Sequence, residues 1–164
     1  MALHERSVGA SDEWYTPPRV FEALGCCLFD IDVASPGQAV TPWIPALHFL
    51  THDSLSMKWN GYVWMNAPFG ARMGLVPWIK KFIEHGNGIC LVPDRTSCPW
   101  WQMWFPRMEL VLFVGGKIKF IGSDGLPGKS PAQGTCLGGI GDRAHEALHR
   151  AAASGLGVLA KPIF

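Results

Sequence analysis

Short apolar runs that alternate with segments of helical periodicity constrain the fold of this chain more than any other feature. Leu28–Val33, Tyr62–Met65 and Gly88–Pro93 each have the length and composition of a buried strand. Between the last two, apolar residues recur at helical spacing from Leu75 to Ile83, and Gly86 follows as a helix stop. Strands separated by helices predict an α/β sandwich with a mainly parallel sheet.

Further elements are predicted on both sides of this centre. A short helix contains Val20, Phe21 and Leu24, with Thr16 as a plausible N-cap and Gly25 as its end. Weaker patterns predict a short strand at 48–50, an aromatic helix at 100–105, a last strand at 135–140 and a terminal helix capped by Asp142.

The clearest local signal is a β-hairpin. Glu109–Val114 and Lys117–Ile121 are two strand-like segments joined by Gly115-Gly116. The second segment alternates basic and apolar residues, so one face of it is expected to be basic. This hairpin is predicted to lie at one antiparallel edge of the sheet.

Size and composition favour a single globular domain. The chain has 164 residues, of which 48% are hydrophobic and 16% are charged, and such a mixture argues against disorder. We expect one domain over residues 12–164, preceded by a flexible arm over residues 1–11.

The same composition excludes several protein classes. No apolar run reaches the length needed to span a bilayer, and the first residues lack the apolar core of a signal peptide. The five cysteines contain no C-x-x-C pair, which favours neither a metal site nor a disulfide framework. A cytoplasmic protein with reduced thiols, no membrane partner and no metal is expected.

Charge is distributed unevenly along the chain. Residues 1–57 hold seven acids and two bases, whereas residues 58–129 hold nine bases and four acids. This asymmetry suits a half that faces a polyanion, and solvated surface charge explains it equally well.

Polar side chains follow three of the predicted strands. Asp30 and Asp32 end the first, Asp53 follows the second, and Asn66 ends the third. In a doubly wound sheet such positions converge on one crevice, where ligands bind. The side-chain carbonyl of Asn66 can accept hydrogen bonds from an amine, and Phe69 can stack on a flat ring. The pair therefore suits a site that grips an exocyclic amine of a base.

The order of these motifs resembles the Dam-type phage DNA N6-adenine methyltransferase family. The resemblance runs from about residue 12 to residue 140. It rests on Trp14-x-Thr16-Pro17, Phe29–Ser35, Asp53-Ser54-Leu55, Asn66-Ala67-Pro68-Phe69, Pro77–Lys81 and Gly116–Phe120. It implies a Rossmann-like methyltransferase sandwich that uses S-adenosylmethionine and acts on double-stranded DNA, in the host cytoplasm if a phage encodes it.

Within this resemblance, Asn66-Ala67-Pro68-Phe69 matches the D/N-P-P-Y/F signature of amino-methyltransferases. The Asn66 side-chain oxygen and the Ala67 carbonyl would accept the two hydrogens of adenine N6. Phe69 would stack on the adenine after it has flipped out of the duplex. The resemblance implies neither a covalent intermediate nor a metal.

The resemblance also implies two sets of binding residues. Those for the cofactor are Trp14, Thr16, Pro17, Asp30, Asp32, Ala34 and Asp53. Those for DNA phosphates are Arg72, Arg95, Lys117 and Lys119.

The chain departs from the family pattern in three places, which leaves an alternative open. Ala67 stands where proline is usual, the loop after Asp32 lacks the usual glycine, and residues 36–52 contain no acid for the ribose hydroxyls. The alternative is a catalytically weak or inactive methyltransferase-fold protein that binds DNA or a partner. A nucleotide hydrolase is disfavoured because no G-x-x-x-x-G-K-[ST] loop is present. A cytosine amine as target and the oligomeric state stay open.

Overall fold

The computed structural model describes residues 13–25, 27–69 and 74–163. The strands in this part of the chain are β1 (Trp14–Tyr15), β2 (Phe29–Asp32), β3 (Ala46–Phe49), β4 (Val63–Met65), β5 (Gly88–Pro93), β6 (Leu110–Val114), β7 (Ile121–Gly122), β8 (Thr135–Ile140) and β9 (Gly157–Ala160). The helices are α1 (Pro18–Leu24), α2 (Val76–His85), α3 (Pro99–Trp104) and α4 (Asp142–Ala153), with a 3₁₀ turn at Phe105–Arg107. The predicted arm and Arg72 lie outside the described residues.

Seven of the strands form one mixed sheet in the order β3-β2-β4-β5-β8-β6-β9. The first four are parallel to one another. β8 is antiparallel to both β5 and β6, and β9 is antiparallel to β6. The predicted α/β class is therefore confirmed. The sheet is mixed and not mainly parallel, because three of its six strand pairs are parallel and three are antiparallel.

Helices cover both faces of this sheet. Apolar side chains of α1 and α4 pack on one face, and those of α2 and α3 pack on the other. Along β4, Trp64 faces the first layer while Val63 and Met65 face the second. Because central strands are buried on both faces, they appear in the sequence as uninterrupted apolar runs. No helix in the described residues is both long and apolar enough to cross a membrane.

The predicted hairpin is wrong, although its first segment does form β6. Both edges of β6 are occupied by β8 and β9, so the chain leaves the sheet after Gly115-Gly116. Ile118 and Phe120 are buried while Lys117 and Lys119 are exposed. The chain then forms β7, which pairs with β1. The alternation therefore reports burial against the core and not pairing with β6.

Two predicted helix caps also differ from the structure. Pro17 precedes α1 at the N-cap position, and the Thr16 hydroxyl caps nothing. Gly141 precedes α4, so Asp142 is its first residue, and β9 follows this helix. The predicted helix ends at Gly25 and Gly86 are confirmed.

The packing of α4 on β8 depends on the absence of a side chain at Gly139. A Cβ atom on Gly139 would lie 2.6 Å from Leu148 Cδ1 and 3.2 Å from Ala144 Cβ. Both neighbours are fully buried, so neither can move into solvent. We expect Gly139→Ala to lower the free energy of unfolding by about 1–3 kcal/mol, measured by urea denaturation.

Gly115→Ala is the matched control, because its Cβ would come no closer than 3.5 Å to its nearest neighbour among the described residues. Equal effects of the two substitutions would contradict the role of Gly139 in this packing.

Candidate active site

The carboxyl ends of three neighbouring strands meet where the direction of chain connection changes. From β2 the chain passes to β3 on one side, and from β3 it passes to β4 on the other side of β2. In open α/β sheets such a switch point forms a crevice. Here it is an open cavity of about 220 Å³ lined by residues 33–35 after β2, residues 50–54 after β3, Pro68 after β4 and Trp78 of α2.

Asp32 is buried in the core and bonds to the turn that forms part of the cavity wall. Its side chain is 1% exposed, and Oδ1 accepts a hydrogen bond from the Ala34 amide at 3.2 Å. The Ser35 hydroxyl oxygen in turn accepts one from the Gly37 amide at 2.9 Å. Burial raises the pKa of Asp32 to about 7, and hydrogen bonds from Ala34 and Ser35 oppose that rise. Asp32 thus shapes the turn, while Ala34 itself lines the cavity.

Asp53 brings a carboxylate to the cavity. Its backbone has φ +51°, in the left-handed region that aspartate tolerates better than most residues. Its carbonyl accepts hydrogen bonds from the Ser56 and Met57 amides at 2.9 and 3.1 Å, which closes a tight turn. Among the described residues that line the cavity, Asp53 is the only acid.

Asn66 and Phe69 lie on the loop that contributes Pro68 to the cavity. The Asn66 Nδ2 atom donates to the Trp14 carbonyl at 3.2 Å, which leaves Oδ1 as the acceptor end of the amide. Phe69 is 39% exposed, and its ring meets Phe120 edge-on at 6.3 Å between centroids. The loop therefore presents an acceptor oxygen and an aromatic face close to the cavity.

The segment from Trp14 to Pro17 flanks the Asn66 side of this loop. Trp14 is 43% exposed, and its carbonyl holds the Asn66 amide. The Thr16 carbonyl accepts a hydrogen bond from Trp43 Nε1 at 2.9 Å, whereas the buried Thr16 Oγ1 finds no partner among the described residues. A buried hydroxyl without a partner is uncommon in folded proteins.

Asp30 is not brought into this group. Its Oδ2 accepts a hydrogen bond from the Tyr62 amide at 2.6 Å and pairs with Arg143 Nη1 at 3.3 Å. Gly61 makes room for this carboxylate, since a Cβ there would collide with it. The structure places Asp30 in a contact between β2, the start of β4 and α4.

The basic residues predicted to bind DNA are only partly gathered. Lys119 is exposed and directly precedes Phe120, the residue that Phe69 contacts. Lys117 is exposed and donates to the Ala132 carbonyl at 2.9 Å. Arg95 is exposed in the loop after β5. Within the described ranges no group of three or more potential metal ligands occurs.

Lys81 holds a segment of the cavity wall, and sequence reasoning missed this contact. Its position in α2 predicts a solvated lysine opposite the apolar face. Instead Nζ donates to the carbonyls of Ser54 and Leu55, both at 2.8 Å, and to that of Met57. Burial lowers the pKa of Lys81. No pattern in the sequence distinguishes it from the neighbouring Lys80, which is exposed and pairs with Glu84 at 3.8 Å.

The environment of Asp32 makes folding stability depend on pH. The folded pKa of Asp32, about 7, exceeds its ordinary value of 3.8, so the folded protein favours the protonated carboxyl. The contribution of this group to the free energy of unfolding is therefore complete below pH 3.8 and is lost as the pH rises to about 7. We expect the stability of Asp32→Asn relative to the unsubstituted protein to rise by roughly 2–4 kcal/mol across this range, measured by urea denaturation at several pH values.

The matched control is Asp124→Asn, because Asp124 Oδ1 accepts the same kind of bond from the Leu126 amide, at 3.0 Å, on an exposed turn. A stability difference between Asp32→Asn and the unsubstituted protein that stays flat from pH 4 to pH 7 would contradict this account of Asp32.

Comparison with known proteins places the site within a known family model. The model described as DNA N-6-adenine-methyltransferase (Dam) matches residues 5–136. This range contains β1 to β7 and the loops that form the cavity, while α4 and β9 lie beyond it. No curated protein and no solved structure matches the chain.

Proposed function

Since this chain belongs to the DNA N-6-adenine-methyltransferase (Dam) family, we propose that it transfers a methyl group from S-adenosylmethionine to N6 of adenine in double-stranded DNA. The observation that carries this proposal is the loop at the end of β4. Its Asn66 turns an acceptor oxygen away from the Trp14 carbonyl, and its Pro68 forms part of a cavity that contains a carboxylate. The proposed fold is a Rossmann-like methyltransferase sandwich.

The cavity suits the adenosyl part of this cofactor. Trp78 offers an aromatic wall, and the Asp53 carboxylate can accept hydrogens from either ribose hydroxyls or an adenine amine. The unpartnered Thr16 hydroxyl lies two residues from the Trp14 carbonyl that holds Asn66, so it is a candidate contact for the methionine end. When bound, S-adenosylmethionine supplies an electrophilic methyl group on a positively charged sulfur.

The amide of Asn66 is held for accepting an amine hydrogen. The lone pair of adenine N6 is delocalised into the ring, which makes the amine a weak nucleophile. Acceptance of its two hydrogens by Asn66 Oδ1 and the Ala67 carbonyl draws the nitrogen toward a tetrahedral geometry. The bond from Nδ2 to Trp14 fixes which end of the Asn66 amide faces the base.

Phe69 supplies the stacking surface for the base. Adenine inside a duplex cannot reach the Asn66 loop, so the nucleotide must flip out of the helix. A half-exposed ring braced edge-on by the buried Phe120 can stack on the flipped base without rearrangement of the core.

The backbone of the loop is restricted even though alanine replaces the usual proline at position 67. Ala67 is buried, and the residue that follows it is Pro68. The proline ring restricts the preceding residue to extended backbone, which narrows the directions that the Ala67 carbonyl can take. This supports an active enzyme over the alternative of an inactive DNA- or partner-binding protein.

Substitution of Asn66 separates chemistry from cofactor binding. We expect Asn66→Ala to lower the rate of methyl transfer to DNA at least 100-fold, because one acceptor for the amine is lost. The affinity for S-adenosylmethionine should change less than threefold. Transfer of tritiated methyl groups and isothermal titration calorimetry measure the two quantities.

The matched control is Asn60→Ala, at an exposed asparagine that precedes β4. Equal loss of transfer and of cofactor affinity in Asn66→Ala would show that Asn66 is structural. Absence of S-adenosylmethionine binding to the unsubstituted protein at millimolar concentration would contradict the proposed function.

Lys119 is exposed and directly precedes Phe120, whose ring contacts Phe69 of the base-gripping loop. We expect Lys119→Gln to weaken DNA binding uniformly across sequences and to reduce the slope of log K against log salt by about 1. Lys161→Gln is the matched control. Lys161 directly follows β9, which is the edge strand at the far side of the sheet from β2, β3 and β4. An unchanged salt slope for Lys119→Gln would remove this lysine from the DNA contact.

A further inference from the structure

We propose that Lys81 is a positioning residue for the cofactor: it holds the wall at residues 53–57 in the shape that presents Asp53 to the adenosyl group. The inference rests on the proposed function. It assigns a role to a side chain that lies on α2 and forms no part of the Asn66 loop.

The Lys81 ammonium group is bonded to backbone carbonyls of one short segment. It donates to the carbonyls of Ser54, Leu55 and Met57. An ammonium group has three hydrogens and no acceptor, so these three bonds use its whole hydrogen-bonding capacity. The segment is thereby tied to α2 at three points.

An aromatic ring adds a further contact to this half-buried ammonium group. Lys81 Nζ lies 4.8 Å from the centroid of the Trp59 ring, a distance at which a cation is attracted to the ring face. Trp59 Nε1 donates to the Ser54 carbonyl at 2.9 Å and to the Ser54 hydroxyl at 3.0 Å. Trp59 also stacks on Trp78, at 6.3 Å between centroids. Because Ser54 and Trp78 both line the cavity, these contacts connect Lys81 to the cavity wall.

This network explains how Asp53 keeps an unfavourable backbone conformation. A left-handed residue other than glycine costs roughly 1–2 kcal/mol and persists only where its surroundings enforce it. Within the 53–57 segment, the Asp53 carbonyl receives the Ser56 and Met57 amides and the Ser56 hydroxyl. Lys81 fixes the outer carbonyls of the same turn, so its loss should release the turn and the carboxylate together.

The experiment compares Lys81→Met with Lys80→Met. Methionine matches the length of the apolar stem of lysine, with sulfur in place of Cδ, and lacks the ammonium group. We expect Lys81→Met to weaken S-adenosylmethionine binding at least tenfold by calorimetry, which is about 1.4 kcal/mol. The rate of methyl transfer at saturating cofactor should stay within threefold. Lys80→Met should match the unsubstituted protein.

Two further readouts separate this role from general destabilisation. Exchange of the Ser56 and Met57 amide hydrogens should accelerate at least tenfold in Lys81→Met, while amides in β5 keep their protection. In Lys81→Ala, propylammonium at tens of millimolar should restore cofactor affinity, because it replaces the missing atoms between the carbonyls and Trp59. Sodium chloride at equal ionic strength should not.

Lys81→Arg keeps the charge and serves if the methionine variant does not fold. Its planar guanidinium cannot direct three donors to one compact set of carbonyls, so an intermediate affinity is expected. Cofactor affinity in the folded Lys81 variants within twofold of the unsubstituted protein, unchanged exchange at Ser56 and Met57, or absence of rescue by propylammonium would each overturn the inference. Failure of the unsubstituted protein to bind the cofactor would instead contradict the proposed function.

Discussion

The parallel pairing of β2 with both β3 and β4 is the constraint on which the rest of the site depends. Because β2 lies between β3 and β4, the loops that follow these three strands all begin at the carboxyl ends of the parallel strands. The turn built on Asp32, the turn at Asp53 and the loop carrying Asn66 are neighbours for this reason alone. A different strand order would scatter the same residues, whatever their individual chemistry.

Each of these loops is held by hydrogen bonds, and two of the three receive a bond from another element of the fold. Asp32 supports the first from inside the core, Lys81 holds the second from α2, and the Trp14 carbonyl orients the amide of the third. Such supports turn flexible connections into a preorganised site, which is what methyl transfer between two bound groups needs. The proposed enzyme thus depends as much on these supports as on the side chains that touch its substrates.

Local patterns predicted the elements well, and pairing between distant segments escaped them. Apolar runs identified β2, β4, β5, β6 and β8, and the alternation after Gly116 correctly separated the buried Ile118 from the exposed Lys119. It could not show that β8 and β9 occupy both edges of β6, because partners distant in the chain decide that competition. For the same reason the sequence singled out Asn66 and Asp53 at strand ends and missed Lys81. Its three acceptors lie 24 to 27 residues away in the chain.

The central claim is that this site methylates an adenine amine, and the methylated nucleoside itself tests it most directly. Duplex DNA is incubated with the protein and S-adenosylmethionine, digested to nucleosides and examined by mass spectrometry. The account predicts N6-methyladenine, at levels that fall at least 100-fold when Asn66→Ala replaces the unsubstituted protein. The appearance of N4-methylcytosine instead, or of no methylated nucleoside while the cofactor binds, would contradict it.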